Sequence, residues 1–381
     1  MVPCRTRASS RVAGERGERM DRFVLKAKDL DGYLTAEDRK AVEGMSAIYE
    51  RASALFGGLE APSAEPAKGK ALEELISLYN EIGSLMKENT AGTPNIHVYS
   101  FETPDTIHGE ASRLIAKLRD SRTDHAEFVY YVQRAYELLF NFAFVGSGHR
   151  KKNYIVVRTP VTLPVQNFAV HKIPDIDDRV TNSVMCVLLR GALLPSMIIS
   201  KEIEEFSSNN YLSPFALFRI SRDDSKIEGT MEYHLRLDRS YFDLELLDGK
   251  DLFFADPMNA TGGSLIAVVR YLGERGIRPK SIKTFNVVSV LKGALRIVRA
   301  LDNAEVYTLW MDPALNRKAY ILPGLGDAGD RINGPDSSES ARDIIQLIAD
   351  YGAQINALYR SQLREIERTV LTTRRAGHGA T

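Results

Sequence analysis

The stretch from Phe253 to Ser264 reads FFADPMNATGGS, and it decides the fold assignment more than any other part of the chain. Its pattern is that of a buried strand followed by an acid, a loop of small residues and the start of a helix. Gly262 and Gly263 permit close approach of the backbone, and N–H groups at a helix start converge on one point. The stretch therefore predicts a cradle for a phosphate monoester, with Asp256 placed to bind ribose hydroxyls or hydrated Mg²⁺.

Two common phosphate-binding patterns are absent from this loop. No Gly-Lys-Ser/Thr follows it, which excludes a Walker A loop, and the Gly-x-Gly-x-x-Gly dinucleotide pattern is missing. An ordinary glycine-rich turn between a strand and a helix is the alternative. The acid at Asp256 and the hydroxyls of Thr261 and Ser264 favour the phosphate site.

Short apolar runs rich in Val, Ile and Phe lie on both sides of this stretch. Runs of this kind are typical of strands buried on both faces, as in a parallel sheet. Helical patterns at 264–275 and 293–300 separate some of them, so the alternation predicts βαβ units and an α/β fold. In such sheets ligands bind beyond the carboxyl ends of the strands. The predicted strands are 184–189, 215–220, 251–255, 282–290 and 306–311.

The two ends of the chain have helical patterns. Thr35 and Asp38 resemble a capping pair at the start of a helix over 35–55, and a second helix is predicted over 70–89. Its predicted apolar face is Leu72, Leu75, Ile76, Tyr79, Ile82 and Leu85. A C-terminal helix is predicted from the stripe Ile344, Ile348, Tyr351, Ile355, Tyr359, Leu363, Ile366 and Val370. The predicted division is 1–20, a disordered tail or misassigned start; 21–92, a helical extension; 93–335, the α/β domain; and 336–381, a C-terminal helix.

Composition excludes several classes of partner. The 381 residues include 50 basic and 50 acidic ones, so there is no global field to hold nucleic acid or an anionic membrane. No apolar stretch approaches the roughly 18–20 residues of a membrane span. Cys4 and Cys186 are the two cysteines, too few for a disulfide framework, and Cys186 is predicted to be a buried thiol. These features predict a cytoplasmic protein.

Two motifs carry a family resemblance. The string Asp256–Ser264 resembles the phosphoribosyl-pyrophosphate (PRPP) loop of phosphoribosyltransferases, and of the uracil phosphoribosyltransferases in particular. Tyr320–Arg331 reads YILPGLGDAGDR and resembles the uracil-binding segment of the same family. The resemblance spans roughly residues 95–335. It implies a Rossmann-like parallel-sheet phosphoribosyltransferase core in a divergent member with helical extensions at both ends.

The resemblance also implies residue roles. Arg190 lies in a stretch similar to the family's pyrophosphate loop, and Arg222 precedes a Glu232-Tyr233 pair as the second pyrophosphate arginine does; Arg219 competes with Arg222 for that role. The planar fork of arginine can hold two phosphate oxygens at once. Asp256, Arg190 and Arg222 are the implied catalytic residues. The implied PRPP-binding set is Arg190, Arg222, Arg219, Asp256, Pro257, Met258, Asn259, Ala260, Thr261, Gly262, Gly263, Ser264 and Asp327.

The second motif implies how the base and the metal would be held. Backbone groups can match the two carbonyls and the N–H donors of uracil, and a site that pairs with one edge rejects bases lacking it. The implied uracil-binding set is Tyr320, Ile321, Gly326, Asp327 and Ala328. No direct protein ligand to the metal is expected: Mg²⁺ would arrive with PRPP and be reached through water by Asp256 or Asp327. The family further implies a homo-oligomer and GTP as a candidate effector.

The sequence departs from the family pattern at several positions. Arg190-Gly191-Ala192 stands where the family has Arg-Ala-Gly, Asn259 where it has Leu, and Ala319 where it has Gly. We predict a Mg²⁺-dependent enzyme that makes UMP and pyrophosphate from uracil and PRPP. The alternatives are a non-enzymatic PRPP or nucleotide sensor on the same fold, and a phosphoribosyltransferase for another pyrimidine-like base.

Overall fold

The structure is a computed structural model, and it describes residues 22–60, 65–146, 151–161, 165–334, 360 and 362–373. The predicted tail over residues 1–20 lies outside the described residues. Within the described part, no helix is both long and apolar enough to cross a membrane.

A nine-stranded mixed sheet forms the centre of the protein. Its order is β1-β7-β6-β5-β8-β10-β11-β2, and the short β9 pairs with β10. The run from β6 to β2 is parallel, whereas β7 and β1 are antiparallel to their neighbours at one edge. The strands are β1 (Arg22–Lys26), β2 (Ile96–Val98), β5 (Ser183–Leu189), β6 (Phe215–Arg222), β7 (Glu232–Tyr241), β8 (Asp251–Ala255), β9 (Met258–Asn259), β10 (Ser281–Val290) and β11 (Ala304–Asp312).

Two small hairpins lie outside this sheet. They are β3 (Lys152–Arg158) with β4 (Phe168–Pro174), and β12 (Ala314–Leu315) with β13 (Ile321–Leu322). The α-helices described before residue 335 are α1 (Ala36–Ala54), α2 (Phe56–Glu60), α3 (Glu65–Ala91), α4 (Gly109–Arg119), α5 (His125–Phe140), α6 (Asp177–Val180), α7 (Leu193–Phe206), α8 (Gly263–Glu274), α9 (Leu291–Ala300) and α10 (Ala328–Asn333).

The predicted α/β core is confirmed. All five predicted strands are present, and every residue of β5 and β8 is buried, as expected for strands covered on both faces. The helices α5 and α7 pack together against the sheet, and α8 and α9 form a second packed pair. Cys186 is a buried free thiol in the middle of β5, as predicted.

The antiparallel edge of the sheet was not predicted. β1 lies within the segment 21–92 that we expected to be helical, and it pairs residue by residue with β7. A five-residue strand whose partner lies some 200 residues further along the chain leaves little local signal, because its stability comes from that distant ladder.

The N-terminal helices confirm one prediction and correct another. The Thr35 hydroxyl accepts a hydrogen bond from the Asp38 backbone N–H at 3.1 Å, and the Asp38 carboxylate accepts one from the Thr35 N–H at 3.0 Å. This capping box starts α1 as expected. The predicted apolar face of α3 is wrong at Leu72 and Ile76, which are 50% and 53% exposed. The buried positions of α3 are Leu78, Ile82 and Met86, so its second half supplies the core contacts.

The end of the C-terminal stripe is helical over residues 362–373, with Leu363, Ile366 and Val370 buried. The Gln362 side chain donates to the Glu204 carboxylate at 2.8 Å, which joins this helix to α7. The other stripe residues, Ile344, Ile348, Tyr351, Ile355 and Tyr359, lie outside the described residues.

Candidate active site

The carboxyl ends of the parallel strands form one edge of the sheet, and the sequence motifs lie along it. Strand β5 ends next to Arg190, β6 ends at Arg222, and β8 ends next to Asp256. Strand β7 runs the other way, so its first residues lie at the same edge. The β12–β13 hairpin follows the end of β11.

A cavity of about 430 Å³ lies at this edge. It is lined by all the predicted site residues except Arg219. The structure therefore brings the two motifs, which are distant in sequence, to one place. Their roles toward a ligand stay predictions, because the geometry gives their positions alone. The predicted residues that line the cavity are Arg190, Arg222, Asp256, Pro257, Met258, Asn259, Ala260, Thr261, Gly262, Gly263, Ser264, Tyr320, Ile321, Gly326, Asp327 and Ala328.

Close packing shapes the loop at the start of α8. Gly262 has a φ of +73°, in the left-handed region that favours glycine, and it caps the helix. A Cβ atom on Gly263 would lie 2.1 Å from the Cζ atom of Tyr233, so the tyrosine ring covers this glycine. A Cβ atom on Gly293 would lie 2.5 Å from the Ala260 carbonyl oxygen, so α9 supports the loop from behind. The cradle is thus held by contacts with β7 and α9.

Asp256 lies on the cavity wall and is only partly exposed. Burial raises the pKa of its carboxyl group to about 6, although the Met258 backbone N–H, which donates to Oδ1 at 3.1 Å, and the positive charge of Arg222 act in the opposite direction. A buried carboxylate with no cation close to it is stabilised in its charged form when a cation binds nearby. This fits a role near a metal-bearing ligand.

Two polar residues of β10 were missed by the sequence analysis. Thr284 and Asn286 both line the cavity, and the Asn286 side-chain amide donates to the Asp256 backbone carbonyl at 2.8 Å. The Thr284 hydroxyl donates in turn to Oδ1 of the Asn286 side-chain amide at 3.2 Å. Polar side chains interspersed with Phe285, Val287 and Val288 in a predicted strand were the available signal.

Arg190 is held by α10 and by Gly334, the residue that follows this helix. Its guanidinium group forms an ion pair with Asp330 and donates a second hydrogen bond to the Gly334 carbonyl oxygen. The Arg190 side chain is 14% exposed, and the peptide bond that precedes it is cis. These contacts place Arg190 against α10.

Arg222 and Arg219 have different surroundings. The Arg222 side chain donates to the Ala319 carbonyl oxygen at 3.1 Å, and its guanidinium carbon lies 5.0 Å from the centre of the Tyr320 ring. Arg219 precedes it by three positions in β6, so its side chain starts on the other face of the strand. Arg219 is absent from the cavity wall, which favours Arg222 of the two candidates.

The motif Tyr320–Arg331 is held in place by side chains that contact its backbone. The buried Asp312 carboxylate accepts a hydrogen bond from the Gly324 backbone N–H at 2.9 Å and forms an ion pair with Arg119. The Arg331 side chain donates to the Leu325 carbonyl oxygen at 2.9 Å. Asp327 caps α10 by accepting from the Asp330 N–H at 2.9 Å. The backbone of the motif is therefore rigidly supported.

Two of the departures from the family pattern are accommodated locally. The Asn259 amide donates to the Ser289 hydroxyl at 2.8 Å, so this buried polar side chain has a partner on β10. Ala319 has a φ of +60°, a left-handed conformation that is costly for residues other than glycine. Its carbonyl oxygen nevertheless holds Arg222.

The donor set of the cavity fits Mg²⁺. The carboxylates of Asp256 and Asp327 line it, and oxygen ligands of this kind are those Mg²⁺ prefers, often through its own water molecules. Away from the cavity, Asp223, Glu232 and His234 also bring possible ligand atoms together. There, Lys226 lies 2.8 Å from Glu232 and 3.7 Å from Asp223 and already supplies positive charge.

Comparison with known proteins agrees with this picture. Residues 214–334 match the sequence model of the uracil phosphoribosyltransferase family. The uracil phosphoribosyltransferase of Campylobacter concisus is 30% identical over 217 residues, which cover 56% of this chain and 89% of that protein. The enzyme of that name from Bifidobacterium longum strain DJO10A is 27% identical over 235 residues, covering 60% and 95%. A solved structure of the Aquifex aeolicus protein AQ2163 aligns with a TM-score of 0.43 at 21% identity, covering 60% of this chain and 96% of that one.

The match of residues 214–334 to this family, together with the central α/β sheet, identifies the class of protein, a phosphoribosyltransferase. Within that class, the relatives that match over nine-tenths of their own length fix the family more narrowly. The chain belongs to the uracil phosphoribosyltransferase family.

Proposed function

We propose that this protein transfers the phosphoribosyl group of PRPP to uracil, giving UMP and pyrophosphate. The observation that carries the proposal is the single cavity that gathers the cradle 260–264, Asp256, Arg190, Arg222 and the base segment 320–328. PRPP carries a 5′-phosphate, ribose hydroxyls and a pyrophosphate, and the cavity offers a suitable group for each. The base segment lies beside them, where an attacking base must be held.

The proposed reaction breaks one bond and forms another at C1 of the ribose. The bond from C1 to pyrophosphate breaks, the uracil nitrogen bonds to C1, and that nitrogen gives its proton to solvent water. Positive charge develops on the sugar, as in other reactions at a glycosidic carbon. Arg190 and Arg222 would neutralise the departing pyrophosphate, and the cradle would fix the position of C1 through the 5′-phosphate. No covalent nucleophile is required.

Base selection would depend on the rigid backbone of the second motif. The N–H and carbonyl groups of Ile321, Gly326 and Ala328 can pair with an edge of uracil, and Tyr320 can cover a face of the base. Cytosine carries an amino group where uracil has a carbonyl. It would leave buried polar groups unpaired and should be rejected.

The carboxylates of Asp256 and Asp327 would face the metal carried by PRPP. When bound, Mg²⁺ supplies positive charge to the pyrophosphate oxygens. The elevated pKa of Asp256 fits this role, because a cation nearby would favour its charged form.

The test is formation of UMP from uracil and PRPP by the full-length protein in Mg²⁺, measured with cytosine and orotate as rival bases and with GTP added as a separate arm. We expect turnover with uracil that stops when Mg²⁺ is chelated and is at least 100-fold lower with the other bases. A folded protein that binds PRPP without turning over any base would be a sensor. Turnover that prefers a different pyrimidine would establish the other alternative.

We also propose that the protein is a homo-oligomer in the cytoplasm. The β3–β4 hairpin exposes Val156 and Val170, which face each other across the ladder and are 62% and 60% exposed, together with Phe168 at 64%. Contiguous exposed apolar residues of this kind are typical of protein interfaces. Light scattering should show an oligomer for the native protein and a smaller species for the V156S/V170S variant; a native monomer would contradict the proposal.

A further inference from the structure

Tyr233 is a buried residue of the site to which the sequence assigned no role. It lies opposite Arg222 in the β6–β7 ladder, and its side chain is 1% exposed. Its ring packs on Gly263 so closely that a Cβ atom there would lie within 2.5 Å of three ring carbons. Tyr233 therefore forms the back wall of the cradle at the start of α8.

The hydroxyl group of Tyr233 reaches the cradle itself. It lies 2.5 Å from the Thr261 Oγ1 atom, and the Gly263 backbone N–H donates to the same oxygen at 3.3 Å. Among the described residues, Thr261 is the hydrogen-bond partner of this hydroxyl. Thr261 is 4% exposed and lines the cavity.

The direction of the hydrogen bond between the two hydroxyls follows from their chemistry. A phenol, with a pKa near 10, is a far better donor than an aliphatic alcohol. Tyr233 is therefore the favoured donor of this bond and Thr261 the favoured acceptor. Because a threonine oxygen has two acceptor lone pairs, the donors Tyr233 and Gly263 occupy both, and the hydroxyl hydrogen of Thr261 is left to donate.

We propose that Tyr233 is a positioning residue for the 5′-phosphate, fixing Thr261 as a donor toward the cavity. The inference rests on the proposed function and deepens it by naming the residue through which the cradle would select a phosphorylated ribose. An ionised phosphate monoester offers only acceptor oxygens and matches a donor-only hydroxyl. A sugar hydroxyl that must itself donate finds no acceptor at Thr261, so the cradle favours phosphorylated ribose over free ribose.

The variant Tyr233→Phe tests this idea because it keeps the ring on Gly263 and removes only the hydroxyl. We would measure binding of ribose 5-phosphate and, separately, of inorganic pyrophosphate to the full-length protein by titration calorimetry in one Mg²⁺ buffer. We expect the Kd for ribose 5-phosphate to rise up to about tenfold, because the Thr261 hydroxyl loses the hydrogen bond that holds it as a donor. The Kd for pyrophosphate should stay within twofold, because the side chains of Arg190 and Arg222 keep their contacts.

Two further variants distinguish an effect of Tyr233 on Thr261 from a general loss of stability. Tyr211→Phe is the matched control, since the Tyr211 hydroxyl donates to the Ser183 backbone carbonyl at 2.8 Å and lies outside the cavity lining. It should leave both Kd values unchanged. In a Thr261→Val background, Tyr233→Phe should cause no further loss, because the hydroxyl through which it acts is gone.

The outcomes distinguish the inference from the proposed function. Unchanged ribose 5-phosphate binding in Tyr233→Phe, equal weakening of both ligands, or additive losses in the double variant would each overturn the role of Tyr233 while leaving the proposed function intact. A wild-type protein that binds neither ribose 5-phosphate nor pyrophosphate would overturn the proposed function, and this inference with it.

Discussion

Asp330 and Arg190 form an ion pair that joins α10, at the end of the Tyr320–Arg331 motif, to the loop after β5. Arg190 is the residue proposed to bind pyrophosphate, and Asp330 belongs to the segment proposed to bind uracil. The Asp330 side chain is 44% exposed, so this carboxylate is open to solvent and lies next to Arg190, which lines the cavity. A negative charge placed there faces any pyrophosphate that approaches Arg190.

Replacing Asp330 with asparagine should therefore tighten pyrophosphate binding. The amide oxygen keeps an acceptor for Arg190, whereas the negative charge that opposes the anion is removed. We expect the inhibition constant of inorganic pyrophosphate to fall three- to tenfold in the Asp330→Asn variant. Asp238→Asn, which removes an exposed carboxylate paired with Arg236 outside the cavity lining, should leave it unchanged. Weaker pyrophosphate binding in Asp330→Asn would mean that the carboxylate orients Arg190.

Asp256→Asn should abolish turnover and at the same time stabilise the ligand-free protein at neutral pH. Burial raises the pKa of Asp256 to about 6, above the value near 4 of an unfolded chain. The folded state therefore binds this proton more tightly, and stability falls as pH rises from about 4 to about 6. Asparagine does not ionise, so the variant keeps this part of the free energy of unfolding, which is on the order of 1–2 kcal/mol for a partly exposed group.

Thermal unfolding of wild type and Asp256→Asn at pH 4 and pH 7.5 would measure the difference. The two proteins should unfold at similar temperatures at pH 4, and the variant should unfold at the higher temperature at pH 7.5. A variant that is less stable than wild type at pH 7.5 would show that the charged carboxylate is already compensated in the folded state. Turnover should fall at least 100-fold.

Arg222→Ala should impair the enzyme far more than Arg219→Ala. Arg222 lines the cavity, and Arg219 does not. Charge-assisted hydrogen bonds of the kind Arg222 could offer pyrophosphate contribute about 2–3 kcal/mol, so we expect about a 100-fold lower kcat/KM for PRPP in Arg222→Ala. Arg219→Ala should stay within about threefold of wild type in the same assay. Comparable losses in the two variants would reassign the pyrophosphate arginine.

The parallel part of the sheet could be predicted because its strands are covered on both faces. A fully buried strand such as β5 needs apolar residues at every position, and this leaves a continuous run in the sequence. Strand β7 is only half buried and alternates between buried and exposed residues, so it leaves a weaker pattern. β1 depends wholly on β7 for pairing, and the two were missed together.

The candidate site likewise combines residues that are contiguous in the chain with residues from distant segments. The acid, the glycines and the hydroxyls of the cradle are contiguous in the chain, so their chemistry could be predicted from their order. The partners that orient them come from distant segments: Tyr233 reaches Thr261, and Asp330 reaches Arg190. Neither pair has a fixed spacing that a sequence pattern could detect.

Gly263→Ala should damage the protein although the change adds a single methyl group. That methyl group would lie 2.1 Å from the Tyr233 ring, which is buried. Overpacking of this kind costs about 1–3 kcal/mol and should also displace the cradle, so we expect both lower stability and weaker ribose 5-phosphate binding.

Gly273→Ala is the matched control in the same helix, because no atom lies within 4 Å of its added methyl group. There, alanine should stabilise the helix by up to about 1 kcal/mol and leave binding unchanged. Chemical denaturation and calorimetry on the two variants would measure both quantities, and equal behaviour of the pair would show that the Tyr233 ring yields to the methyl group.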